Sequence, residues 1–189
     1  DARAEKPGWA TPDYDDSGWA MARVVPAPGG GLAAQMMPPI KADKTIKPVK
    51  LTEPQPGVFV FDMGQNMAGF AELRLRAPAG TKVVMKYGER LGKDGMLDRA
   101  DIAQHIVKVD TNQQYQTDTY ISDGASSITH HVSRFTYHGF QYVEVTGLPG
   151  KPALDTLSGV FIHSAIPVAG EFECSNPLLN KIWRAGRWA

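Results

Sequence analysis

Ala71-Glu72-Leu73-Arg74-Leu75-Arg76 alternates apolar and charged residues without a break. A period of two puts Ala71, Leu73 and Leu75 on one face of a β-strand and the charges on the other. After Ala77-Pro78-Ala79-Gly80, the residues Val83, Met85 and Tyr87 repeat the period. The spacing predicts a β-hairpin over residues 70–87 with one solvated face, and it sets the fold class as all-β. Upstream, Val58 to Phe61 reads as a strand, while Pro48 interrupts the β-prone stretch Ile40 to Leu51 and makes it an edge strand or irregular extension. Downstream, Gly92-Lys93-Asp94-Gly95 is a turn, and the polar residues 96–114 predict a long surface loop. Strands resume at Thr119–Ile121, Ile128–Val132, Phe140–Val145, Leu157–Ile162 and Phe172. Val143 and Val145 fall on one face and Phe140 and Tyr142 on the other, so that strand is expected to be central and covered twice. About eight to ten short strands at this spacing predict an antiparallel β-sandwich over residues 36–172.

The two ends differ from this middle. Residues 1–35 are rich in Trp and Asp and run into Pro26-Ala27-Pro28-Gly29-Gly30-Gly31, which reads as the tail of one domain and a linker. At the other end Ser175 or Asn176 is a good N-cap, Pro177 suits the first helical position, and Leu179, Ile182, Trp183 and Gly186 share one face of a short C-terminal helix. That apolar face has no remaining packing partner in the sequence. The chain therefore reads as a piece of a longer polypeptide, with Leu179, Ile182 and Trp183 as domain-docking residues. In isolation the helix is expected to fold back on the sandwich or to pair with a second copy in a dimer, with Trp183 as its anchor.

Twenty basic and 20 acidic residues give a formal net charge of zero, which provides no electrostatic footprint for nucleic acid. Cys174 is the single cysteine, which excludes an internal disulfide and a Cys-based zinc site. No apolar run approaches the roughly 20 residues of a spanning helix, so membrane insertion is not expected.

Four groups of residues could carry chemistry. Asp13-Tyr14-Asp15-Asp16-Ser17-Gly18 overlaps the first half of a calcium loop, but the twelfth position is Val24 rather than Glu. The preferred reading is an Asx-type turn feeding Trp19 into a core; Asp13 and Asp15 as ligands of a structural calcium is the competing one, and no other cofactor is expected. Glycoside hydrolysis needs paired carboxylates, and the candidates are Glu53, Glu72, Glu89, Asp94 and Glu144. Glu144 reads as a cross-strand ion pair with Arg134 or Arg74, and no catalytic residue is assigned. His130 and His131 are adjacent on a strand, point to opposite faces and cannot chelate together. Finally, Ser133-Arg134-Phe135-Thr136-Tyr137-His138-Gly139-Phe140-Gln141-Tyr142 combines rings, donors and a glycine bend. Such a set suits a sugar's C–H face and hydroxyl rim, and equally a core or a domain interface. Trp9, Trp19, Arg134, Tyr137, His138 and Tyr142 are the candidate carbohydrate-binding residues.

Phe61-Asp62-Met63-Gly64-Gln65-Asn66-Met67-Ala68-Gly69, Glu89-Arg90-Leu91 with Asp94-Gly95, Asp118-Thr119-Tyr120, Arg134 to Val145, and Gly170 to Asn180 resemble, in order, the bacterial α-L-rhamnosidases of glycoside hydrolase family 78. Asp1-Ala2-Arg3, Gly8-Trp9 and Tyr14 to Trp19 look like the end of that family's N-terminal carbohydrate-binding sandwich. The resemblance implies a concanavalin-like, jelly-roll sandwich over residues 36–172, preceded at 1–35 by the edge of the carbohydrate-binding domain and a linker. Residues 173–189 would then begin an (α/α)6 catalytic domain that continues past this sequence. It further implies a multidomain enzyme that removes terminal α-L-rhamnose from plant glycosides or polysaccharides with inversion, its two acidic residues lying in the barrel. The segment itself is expected to be inactive. Its implied partners are the barrel of the same polypeptide and, through the parent, a rhamnose-containing glycan. A periplasmic or extracellular location is preferred to a cytoplasmic one. Gln141, where the family often has Arg, and the length of the stretch around 102–117 depart from the pattern. The reading adopted is an accessory sandwich; a binding module for rhamnose-containing glycans is the alternative, and a complete small enzyme would need two carboxylates converging in a cleft.

Overall fold

The computed structural model describes residues 1–103 and 115–188. The strands in chain order are β1 Ile40–Ile46, β2 Lys50–Gln55, β3 Val58–Leu75, β4 Lys82–Gly88, β5 Arg90–Leu91, β6 Leu97–Asp98, β7 Thr117–Ile121, β8 Thr129–Val132, β9 His138–Thr146 and β10 Leu157–Ser164. Two α-helices accompany them, α1 Ala100–Ala103 and α2 Pro177–Gly186. All the strand pairings are antiparallel. The main sheet runs β1-β10-β3-β9-β4-β7, with β2 and β8 added to β3, and β5-β6 form a small separate ribbon. Part of the long loop expected at 96–114 is thus this ribbon and α1; residues 104–114 lie outside the described residues.

The 18-residue β3 makes the curled sheet a sandwich. Its first half lies between β2 and β9, and its second half between β10 and β8. The two halves share one core, in which Phe61, Met63, Leu73, Val83, Met85, Phe140, Val143 and Leu157 are fully enclosed. Gly69 lets β3 and β10 approach, because a Cβ there would overlap the Val160 carbonyl. Gly147, at φ +81°, would collide with the Lys82 carbonyl if it carried a side chain.

Ala71, Leu73, Leu75, Val83, Met85 and Tyr87 are buried, as the alternation predicts. Their strands are nevertheless not a hairpin, because β9 lies between β3 and β4. Alternation specifies a face, not a neighbour, and residues 77–80 are not the two-residue turn that enforces local pairing. Instead Gly80 N–H donates to the Ser122 carbonyl, tying the connection to the end of β7.

β9 is central, between β3 and β4, and at Val143-Glu144-Val145 both of its faces are buried, but the facing expected for Phe140 is corrected. Asp62 faces Tyr142 and Met67 faces Phe140, so five steps on β3 match two on β9. The odd difference is a bulge that reverses the facing of β9. Phe140 and Val143, three residues apart, therefore both point into the one core with 0% exposure. Glu144 lies on the opposite face, 4% exposed, with its carboxylate accepting from Lys86 Nζ at 3.2 Å and from the Leu97 amide of β6 at 3.2 Å. Its partner is thus Lys86, across the β4–β9 register, rather than Arg74 or Arg134. Phe172 is exposed and belongs to no strand.

Candidate functional site

The aromatic stretch Arg134–Tyr142 is divided by the entry into β9. His138 turns inward and stacks on Tyr87 with ring centroids 4.0 Å apart. Its Nε2 lies 3.0 Å from Asp118 Oδ1 and its Nδ1 2.8 Å from Gln116 Oε1. Gln116 Nε2 donates to the Gly139 carbonyl at 2.9 Å, which turns its oxygen toward the imidazole. Both ring nitrogens thus lie within hydrogen-bond distance of a side-chain oxygen. Tyr87 Oη donates to the other Asp118 oxygen at 2.9 Å. Burial raises the Asp118 pKa, but hydrogen bonds from His138 and Ser133, the His138 charge and the Tyr87 hydroxyl outweigh it and hold the carboxyl below its ordinary range. Burial, reinforced by the Asp118 charge, pushes Tyr87 well above the usual phenol value, so it remains a neutral donor. This is a closed polar network inside the sandwich, joining β4, β7 and β9.

Phe140 also lies in the core, and the other side chains of the stretch are exposed or half-buried. Phe135 sits at φ +59° with its ring in solvent, Tyr137 is exposed, and Arg134 reaches Glu5 at 3.4 Å. Tyr142 is half-buried beside Gln141, whose amide donates to Asp62 at 3.0 Å and to the Tyr142 hydroxyl at 3.1 Å. Trp9 and Trp19 lie in the N-terminal segment, away from these residues in sequence. Trp19 is 46% exposed, with the Tyr14 ring centroid 5.7 Å from its own and Lys6 Nζ 5.3 Å over its ring. The turn predicted there is present, Asp15 Oδ1 accepting from Ser17 N–H at 3.0 Å, but it does not feed Trp19 into a core. Hydrogen bonds from the Ser17 side chain and backbone lower the Asp15 pKa. Among the described residues no group of three or more His, Cys, Asp or Glu side chains is placed to hold a metal. Of the six candidate carbohydrate-binding residues, His138 is enclosed in the network, Tyr142 is half-buried, and Trp9, Trp19, Arg134 and Tyr137 are exposed.

The sequence model of the bacterial alpha-L-rhamnosidase concanavalin-like domain matches residues 52–163, the body of this sandwich. The chain belongs to the bacterial α-L-rhamnosidase family. The family's N-terminal domain model matches residues 1–44. An alpha-L-rhamnosidase of Streptomyces avermitilis is 40% identical over 192 residues, covering 100% of this chain and 17% of that protein. One from Formosa agariphila is 29% identical over 199 residues, covering 100% of this chain and 19% of its own length. Among solved structures, the alpha-L-rhamnosidase from Dictyoglumus thermophilum superposes with a TM-score of 0.86 at 40% identity, over 98% of this chain and 20% of that one. The Streptomyces avermitilis enzyme complexed with L-rhamnose gives a TM-score of 0.86 at 38% identity, over 100% of this chain and 17% of that one. The chain thus spans about a fifth or less of the length of these rhamnosidases, as an accessory segment of a multidomain protein.

Within this rhamnosidase segment each sequence-proposed carboxylate already has a partner. Glu53 accepts from Gly57 N–H, Glu72 meets His130, Glu89 accepts from Asn66, Asp94 accepts from Met96 N–H, and Glu144 meets Lys86 and Leu97. At the C-terminal end Asn176 caps α2 by accepting from Leu178 N–H at 2.9 Å, as the N-cap pattern predicts. The helix folds back on the sandwich through Trp188, which lies 4.5 Å from Phe161 and packs on the core. The anchor is therefore Trp188 rather than Trp183, because only the later residue reaches across to β10. Leu178, Leu179 and Ile182 remain exposed, Ile182 at 58%. Nothing in the sequence linked Tyr87, Asp118, His138 and Gln116 into one network, since they are scattered across residues 87–138 and the β4–β7 and β4–β9 pairings bring them together.

Proposed function

We propose that this chain is the accessory β-sandwich segment of an inverting α-L-rhamnosidase, docking and shaping the surroundings of an (α/α)6 catalytic domain. In this reading residues 1–35 are the edge of a carbohydrate-binding domain with its linker, 36–172 the concanavalin-like sandwich, and 173–189 the first part of the catalytic domain. The observation that carries it is the face of α2: Leu178, Leu179 and Ile182 stand in solvent on a helix that is fixed to the sandwich just beyond its C-terminal end, through Trp188. An apolar face held in place in this way suits further helices packed against it. The parent's substrate would be a glycan or glycoside ending in α-L-rhamnose, and its catalytic carboxyls would stand about 6.5–9.5 Å apart in the barrel, as inversion requires.

The test compares the parent enzyme with this segment on an aryl α-L-rhamnoside. Turnover by the parent and none by the segment is the expected result. Turnover by the segment above a mock preparation, abolished by a carboxylate-to-amide change within residues 1–189, overturns the reading. A rhamnose-binding role is the second reading, supported by the exposure of Trp9, Trp19 and Tyr137. Titration of the segment with L-rhamnose, with and without calcium for Asp13 and Asp15, distinguishes it. Saturable heat lost in Trp19→Ala would favour the module, and its absence the docking role.

A further inference from the structure

Where α2 folds over the sheet it leaves a cavity of about 460 Å³, the size of a small-ligand site, between the helix and the β1–β10 edge. One wall is aromatic: Trp183 comes from the helix, Trp188 from just beyond its end and Phe161 from β10. The polar groups of the cavity are mostly cationic. Lys44 lies 5.5 Å over the Trp188 ring and Arg187 5.1 Å over the Trp183 ring, so each indole is held by a cation on one face. Arg184 also lines the cavity, is exposed, and has no acidic partner among the described residues. The acids nearby are few and engaged. Asp43 lies 4.0 Å from Lys44 and 3.7 Å from His163, and Glu171 lies 3.6 Å from Arg187 in an exposed pair, which holds weakly.

An aromatic wall favours the C–H face of a pyranose, and guanidinium forks favour a carboxylate in two-point contact. We infer that this cavity is a binding site for an acidic sugar residue, a hexuronate whose carboxylate meets Arg184 and Arg187 while its ring lies on Trp183. The site involves none of the residues proposed above for rhamnose, and it stands or falls independently of the rhamnosidase activity of the parent.

The chain has four tryptophans, at 9, 19, 183 and 188, so the indole N–H resonances of the intact chain report the site directly. Titration with methyl glucuronide should shift the Trp183 and Trp188 signals saturably and leave those of Trp9 and Trp19 in place. Arg184→Gln, an exposed change that leaves the fold intact, should weaken binding about tenfold, the loss expected for one charge-assisted contact. Arg187→Gln should act in the same direction. Equal shifts with methyl glucoside would show stacking without carboxylate recognition, and equal shifts with acetate would show an anion site without sugar recognition; either overturns the inference. No shift at tens of millimolar glucuronide, or an unchanged affinity in Arg184→Gln with the rest of the spectrum preserved, overturns it as well.

Discussion

The sandwich and its flanks are built from similar residue types and reach opposite outcomes. Between Pro48 and Ile162 lie all the buried positions among the described residues; before and after them, none is buried. Phe61 and Phe140 are enclosed by neighbouring strands, whereas Trp9, Trp19 and Ile182 have helical or turn neighbours that cover one side only. The difference is one of closure. A side chain on a sheet that curls onto itself is covered by residues distant in sequence, while an aromatic in a short extended segment meets only its near neighbours.

The widest test of this contrast is a pair of aromatic truncations. Phe140→Ala should destabilise the chain by about 3–5 kcal/mol and Trp19→Ala by less than about 0.5 kcal/mol, both measured by urea unfolding. Comparable losses would mean that the flank is part of the same cooperative unit. Gly69→Ala should fall below the aromatic truncation and still be severe, about 2–4 kcal/mol, since β3 and β10 must separate to admit a methyl group. A neutral result would show that these strands slide freely.

The third comparison concerns the buried network. Asp118→Asn removes the charge that faces His138 and should cost about 3 kcal/mol near neutral pH. Because the folded Asp118 pKa is lowered, its contribution is fully present above the unfolded value of about 3.9 and is lost as pH falls through the lower folded value. The parent chain should therefore lose stability in acid more steeply than Asp118→Asn; parallel curves would remove the carboxylate from the account. The smallest effect belongs to the C-terminal flank. Trp188→Ala should cost about 1 kcal/mol of local stability and speed hydrogen exchange in α2, while Ile182→Ala should leave exchange unchanged. If Trp183→Ala frees the helix and Trp188→Ala does not, the anchor has been assigned to the wrong indole.

Much of the fold can be read along the chain. The alternation at Ala71–Leu75 and Val83–Tyr87 identified buried faces, the Asn176-Pro177 pair identified a helix start, and the motifs from Phe61 to Asn180 carried the family resemblance. The candidate site was less legible. Tyr137 and His138 are adjacent in sequence, yet one points to solvent and the other into a hydrogen-bonded network, because strand entry at His138 determines which residue turns inward.

Sequence by itself determined the buried faces of β3 and β4, the helix cap and the family, since each depends on side-chain period or on contacts within a few residues. Tertiary structure decided that β9 separates β3 from β4, that a bulge brings Phe140 and Val143 to one side, that Glu144 meets Lys86, and that Trp188 holds α2. These outcomes depend on which distant strand supplies each ladder of hydrogen bonds, and a period-two pattern is equally compatible with every such partner.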